Sequence, residues 1–165
     1  MPKINYESPM AQIPDYAAVV LSDIIDKAGV AQVLITSTTR TPADQARIMF
    51  DNLEAHGVAA QKMLYKAPGQ AVIDVYASMR AMGHNADEVK AAMVQKILEI
   101  GPQTVSRHCG DDSVRSVFDV APSSIPSVQR GAFISAVETD TRVDKFLQPP
   151  IDPAYHIEIL AANVA

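Results

Sequence analysis

Apolar positions recur along the chain with two periods, and the change from one to the other divides it. Between Asp15 and Gly29, the residues Val20, Leu21, Ile24, Ile25 and Ala28 fall on one side of a 3.6-residue turn. That spacing predicts a helix, with Gly29 as its stop. Gln32–Ser37 (QVLITS) is short, largely apolar and contains β-branched residues, so a strand is predicted there. It runs into Ser37-Thr38-Thr39-Arg40, which sets Arg40 at a strand-to-helix corner. Thr41, Pro42 and Asp44 then supply a hydroxyl cap, a proline at the first helical position and an acidic side chain three residues after the cap; they predict a helix over Pro42–Glu54. Two more helices are predicted over Pro68–Met82 and Ala86–Ile100, separated by Gly83-His84-Asn85, with Asn85 and Glu88 spaced as a second cap pair.

After Gly101-Pro102 the period shortens. Thr104–Ser106 and Val114–Val120 read as strands around the polar loop Arg107–Ser113. A helix over Ser127–Glu138 follows Pro126, and strands over Arg142–Leu147 and Tyr155–Leu160 flank the turn Gln148-Pro149-Pro150-Ile151-Asp152-Pro153. Helices in the middle of the chain and strands mainly towards its end predict an α+β fold: a small antiparallel sheet packed against several helices. A chain of 165 residues can bury about 70% of its unfolded surface, so one domain over 1–165 is expected, with 1–14 as an extended segment.

Composition narrows the partners. With 48% hydrophobic and 20% charged residues the chain is of ordinary globular type, and no internal repeat or low-complexity tract is visible. A net charge of −5 without clustered Lys or Arg argues against a nucleic-acid partner, whose binding depends on counterion release by basic groups. Cys109 stands alone, which excludes an intrachain disulfide and a CxxC metal site. Lys3, Glu7 and the prolines before residue 15 do not resemble an export signal, and the apolar windows fall far short of the ~20 residues that cross a bilayer. Synthesis in the cytoplasm without membrane insertion is the expectation.

Most of the candidate chemistry lies in the late strands and loops, the usual place for reactive groups held by a rigid scaffold. His56 and His84 sit near helix ends beside glycines, where imidazoles commonly serve the last carbonyls, and are read as structural. His108 lies in Ser106-Arg107-His108-Cys109-Gly110-Asp111-Asp112, ahead of the strand that carries Asp119. His156 lies in Asp152-Pro153-Ala154-Tyr155-His156-Ile157-Glu158. Two histidines and a carboxylate from three segments match the ligand set of a catalytic zinc, which takes three protein ligands and leaves a place for water. On chemistry alone the same residues also suit a loop histidine, a satisfied edge-strand histidine and a turn-forming aspartate.

The order Ser-x-His, then Asp, then an acidic residue shortly before an aromatic-His pair resembles a family of zinc metallopeptidases. Its members are related to D-alanyl-D-alanine carboxypeptidases, the vancomycin-resistance D,D-dipeptidases and phage L-alanyl-D-glutamate endopeptidases. Thr39-Arg40-Thr41-Pro42-Ala43-Asp44-Gln45 is similar to that family's arginine segment, and the likeness runs from about residue 33 to 159. The resemblance implies one zinc ion on His108, Asp119 and His156, with Asp152 as general base. It also implies Arg40 as a cation facing the substrate carbonyl or carboxylate, with Ser106 and Gln45 as supporting groups.

Two features depart from the family's pattern. Asp119 stands eleven positions after His108, a wider spacing than the family's, with Cys109–Arg115 as an enlarged loop. Asp111 and Asp112 are the rivals for that ligand, but Asp119 comes from a defined strand, and rigid elements position ligands better than loops. Asp152 stands four before His156, where a local bulge would restore its reach. Glu158, two residues beyond His156 on the same face, competes as base or serves as a partner of a ligand.

The implied activity is that of a hydrolase cutting peptide bonds of the bacterial peptidoglycan stem, as in a bacteriophage endolysin or a D,D-carboxypeptidase. Its site of action would be the cell wall. Two other readings stand beside it: a cysteine peptidase using Cys109 with His156 and Asp119, and a cell-wall-binding or phage structural module without catalysis.

Overall fold

The structure, a computed structural model, describes residues 2–9 and 11–164. In chain order the elements begin with β1 (Lys3–Tyr6), α1 (Asp15–Ala28), β2 (Gln32–Ser37), α2 (Pro42–His56), α3 (Val58–Lys62) and α4 (Ala67–Ala81). There follow α5 (Ala86–Ile100), α6 (Pro102–Val105), β3 (Arg115–Val120), α7 (Arg130–Glu138), β4 (Val143–Leu147) and β5 (Tyr155–Leu160). The chain divides into two compact units, residues 1–39 with 111–165 and residues 40–110.

The first unit holds a five-stranded sheet in the order β1-β2-β3-β5-β4. The β1–β2 pair is parallel and the other pairs are antiparallel, so the expected α+β class is what forms, with one parallel edge added to the sheet. Ala17, Val20, Leu21, Ile24 and Ile25 of α1 are buried, as the apolar spacing requires. Gly29 adopts φ 69 and closes the helix, its N–H reaching Asp26 O while Val30 N–H reaches Ile25 O; a side chain at that φ would be strained.

One core gathers α1, the inward residues of the sheet and α7. Val33 and Ile35 contribute from β2, Phe118 and Val120 from β3, Phe133 and Val137 from α7, and Tyr155, Ile157 and Ile159 from β5. Strand pleating sends alternate residues to opposite faces, so Asp119, His156 and Glu158 lie on the face turned away from this core.

The second unit is helical. Thr41 Oγ1 accepts from Asp44 N–H at 3.1 Å and Asn85 Oδ1 from Glu88 N–H at 2.9 Å, so both predicted caps are present. Met49, Phe50, Leu53, Val72, Ile73, Tyr76, Val89, Met93 and Ile97 form its core, with the Phe50 and Tyr76 rings edge to face at 5.6 Å.

Several expectations need correction. Thr104–Ser106 is not a strand: Gly101, at φ 107, ends α5, and Pro102 restarts the chain as the short helix α6. Thr104 Oγ1 donates to Gly101 O at 2.7 Å and secures that turn. Within the segment expected to be extended, Lys3–Tyr6 is a strand that pairs with Gln32–Ile35 and adds the parallel edge. α2 continues past Glu54 to His56, and α3 was not anticipated. The helix expected from Ser127 begins as a 3-10 turn, Ser127–Gln129, before α7. Among the described residues, no helix is long and apolar enough to cross a membrane.

Candidate metal centre

β3 and β5 run antiparallel with Asp119 opposite His156 and Val117 opposite Glu158. Directly opposed residues in such a pair share a face, which sets the Asp119, His156 and Glu158 side chains together on the polar side of the sheet. His156 Nδ1 lies 3.0 Å from Asp119 Oδ1, and its Nε2 lies 2.9 Å from Glu158 Oε1. The ring is fully buried, and Glu158 is nearly so. Burial disfavours the charged imidazole, but the two carboxylates outweigh it and raise the His156 pKa to about 9. Burial pushes the Glu158 carboxyl the other way, yet His156 and Arg115 hold its pKa below the usual value. Arg115 forms an ion pair with Glu158, and its Nη1 also donates to Asp144 Oδ2 on β4 at 3.1 Å.

Arg40 and the His108 segment are laced by backbone bonds. Arg40 forms a bridge with Cys109; its N–H donates to His108 O at 2.5 Å, and Gly110 N–H donates to Arg40 O at 2.9 Å. Ser106 shapes the turn below: its Oγ accepts from His108 N–H at 3.4 Å and its carbonyl from Cys109 N–H at 3.1 Å. The Arg40 guanidinium, half-buried, makes no ion pair among the described residues. The Gln45 amide is fully buried with neither its oxygen nor its nitrogen in a hydrogen bond. Tyr65 and Gln45 are near enough to influence one another while falling outside hydrogen-bond geometry, and the Arg40 charge opposes the rise in the Tyr65 pKa that burial causes.

Asp119 and His156 on the facing strands of the sheet, and His108 of the helical unit, each offer one atom that could ligate a metal ion. The donor set, two imidazoles and a carboxylate, suits zinc, while other first-row divalent ions accept the same ligands. Asp111, the rival carboxylate, is turned to its own loop, with Oδ1 accepting from Ser113 N–H and Oγ–H. Asp152 lies in the turn before β5, its Oδ1 accepting from Ala154 N–H at 3.0 Å.

Compared with protein-family models, curated proteins and solved structures, the chain matches nothing.

Arg115 and Asp144 were not among the expected site residues. Strand parity was the available signal for Arg115, which stands four positions before Asp119 and shares its face. His56 closes α2 as expected of an end residue, and His84 Nδ1 lies 2.9 Å from Glu88 Oε2 at the start of α5. Cys109 is completely buried, and burial pushes its thiol up to about 11.

Proposed function

We propose that the chain is a zinc metallopeptidase that hydrolyses peptide bonds of the bacterial peptidoglycan stem, an endolysin-like endopeptidase or a D,D-carboxypeptidase. The observation that carries the reading is the facing of Asp119 and His156 across β3 and β5, with His108 as the third potential ligand. The resemblance of the surrounding segments to zinc peptidases of the cell wall supplies the substrate class.

Zinc held by these three residues supplies Lewis acidity that brings the pKa of water down to about 7. The remaining work falls to the protein. Asp152 takes the proton of the attacking water and returns it to the departing amine. Glu158 is not the base in this scheme, because Oε1 is engaged by His156 and Oε2 by Arg115. Arg40, without a carboxylate partner of its own among the described residues, holds the scissile carbonyl or a substrate carboxylate. Gln45, fully buried on α2, is out of a substrate's reach and serves as a supporting group.

The cysteine-peptidase reading loses ground here: a buried thiol held at about 11 is neither accessible nor ionised at neutral pH. Metal analysis of the purified chain, paired with mass spectrometry of digested peptidoglycan, tests the proposal. One zinc per chain and new muropeptides that vanish on chelation are expected. A metal-free protein that leaves muropeptides unchanged would overturn it and favour the non-catalytic wall-binding or structural module.

A further inference from the structure

Three charged groups continue from the proposed ligand His156 along the polar face of the sheet. His156 Nε2 donates to Glu158 Oε1 at 2.9 Å, Glu158 pairs with Arg115, and Arg115 Nη1 reaches Asp144 Oδ2 at 3.1 Å. The anchors sit on three neighbouring strands, β5, β3 and β4, so the backbone holds each link in place. Glu158 is 5% exposed, and a carboxylate so removed from water is costly to keep without a cation. Arg115 is that cation, and a planar guanidinium bonded to two carboxylates has little freedom to swing.

An imidazole has two nitrogens, and which one meets a metal is set by the bond the other makes. Here Nε2 is occupied by Glu158, while Nδ1 lies 3.0 Å from Asp119 Oδ1. We propose that Arg115 is a positioning residue that acts through Glu158, locking the His156 ring so that Nδ1 is the nitrogen presented to the metal. The proposal rests on the zinc reading for the metal but not for the ring's orientation, which the strands and the Arg115–Glu158 pair impose without it. Without Arg115, Glu158 turns away from the buried face and the ring is free to rotate.

The test uses the full chain and four substitutions: Arg115→Met, Glu158→Gln, the double variant and Asp144→Asn. In metal-free protein labelled with 15N-histidine, the His156 Nε2–H proton of the wild type is expected to be sharp and protected from exchange. It is expected to be lost in Arg115→Met and in Glu158→Gln. Zinc competition against a chromogenic chelator is expected to show about 10- to 100-fold weaker binding for each single variant. The double variant is expected to bind no more weakly than Glu158→Gln alone, because Arg115 works only through Glu158.

A protected ring proton in Arg115→Met, or losses that multiply in the double variant, would overturn the proposal. If the wild type binds no zinc, the metal reading fails while the ring proton still decides the role of Arg115. Asp144→Asn loosens the same guanidinium from β4 and is expected to give a smaller loss of the same kind, which keeps the test decisive if Arg115→Met does not fold.

Discussion

Two side chains of the helical unit show how burial and charge assign opposite fates to neighbouring residues. Cys109 is joined by a backbone bridge to Arg40, yet its thiol is sealed from solvent and pushed up to about 11, so it behaves as a small apolar residue. Iodoacetamide is expected to leave the folded chain unmodified at pH 7.5 and to label it once in denaturant; rapid labelling with loss of activity would restore the cysteine-peptidase reading. Arg40 keeps a half-buried guanidinium without an ion pair among the described residues, an arrangement that favours an incoming anion or carbonyl. Arg40→Ala is expected to lower turnover about 100- to 1,000-fold, the usual cost of losing one electrostatic donor. Its far-UV circular dichroism should match that of the wild type.

Elements differ in how plainly local sequence announces them. The helices α2 and α5 were legible from their caps, α1 from its apolar spacing and glycine stop, and β5 from its alternation of apolar and polar residues. β1 was not, because the four residues KINY gain their strand character from parallel pairing with β2, more than twenty residues away in the chain. α6 was misread because a β-branched Thr-Val pair follows Gly-Pro, and the proline decided the conformation. In the site, Asp119 and His156 could be picked out by residue type, whereas Arg115 acquires its meaning only from Glu158, forty-three residues further on.

The turn into β4 carries a prediction at this scale. Asp140 accepts from Arg142 at 2.9 and 2.7 Å, and those bonds hold its carboxyl below the usual range. A depressed folded-state pKa adds stability above the unfolded pKa of about 3.9, and that stability is lost as pH falls through the lower folded value. Asp140→Asn is therefore expected to flatten the acid limb of a stability-against-pH curve and to cost about 1 kcal/mol or less at pH 7, read by urea denaturation at a series of pH values.

For the whole molecule, a ligand that binds only the folded chain adds to its stability by mass action. Free zinc at 100 times its dissociation constant should add about 2.7 kcal/mol, seen as a rise in Tm that EDTA reverses. His156→Ala is expected to show no zinc-dependent rise; an equal shift in that variant would place the ion elsewhere. The α+β architecture was foreseeable from the distribution of elements along the chain, but the order of strands was not, because β5 is inserted between β3 and β4 by contacts distant in sequence.

On β5, Tyr155, Ile157 and Ile159 face one way and His156 and Glu158 the other. An insertion or deletion of a single residue inside that strand would send the imidazole into the hydrocarbon interior and expose aromatic and aliphatic groups in its place. Length variation there is thus confined to even steps, and a library of strand-length variants should yield folded proteins only when two residues are gained or lost together.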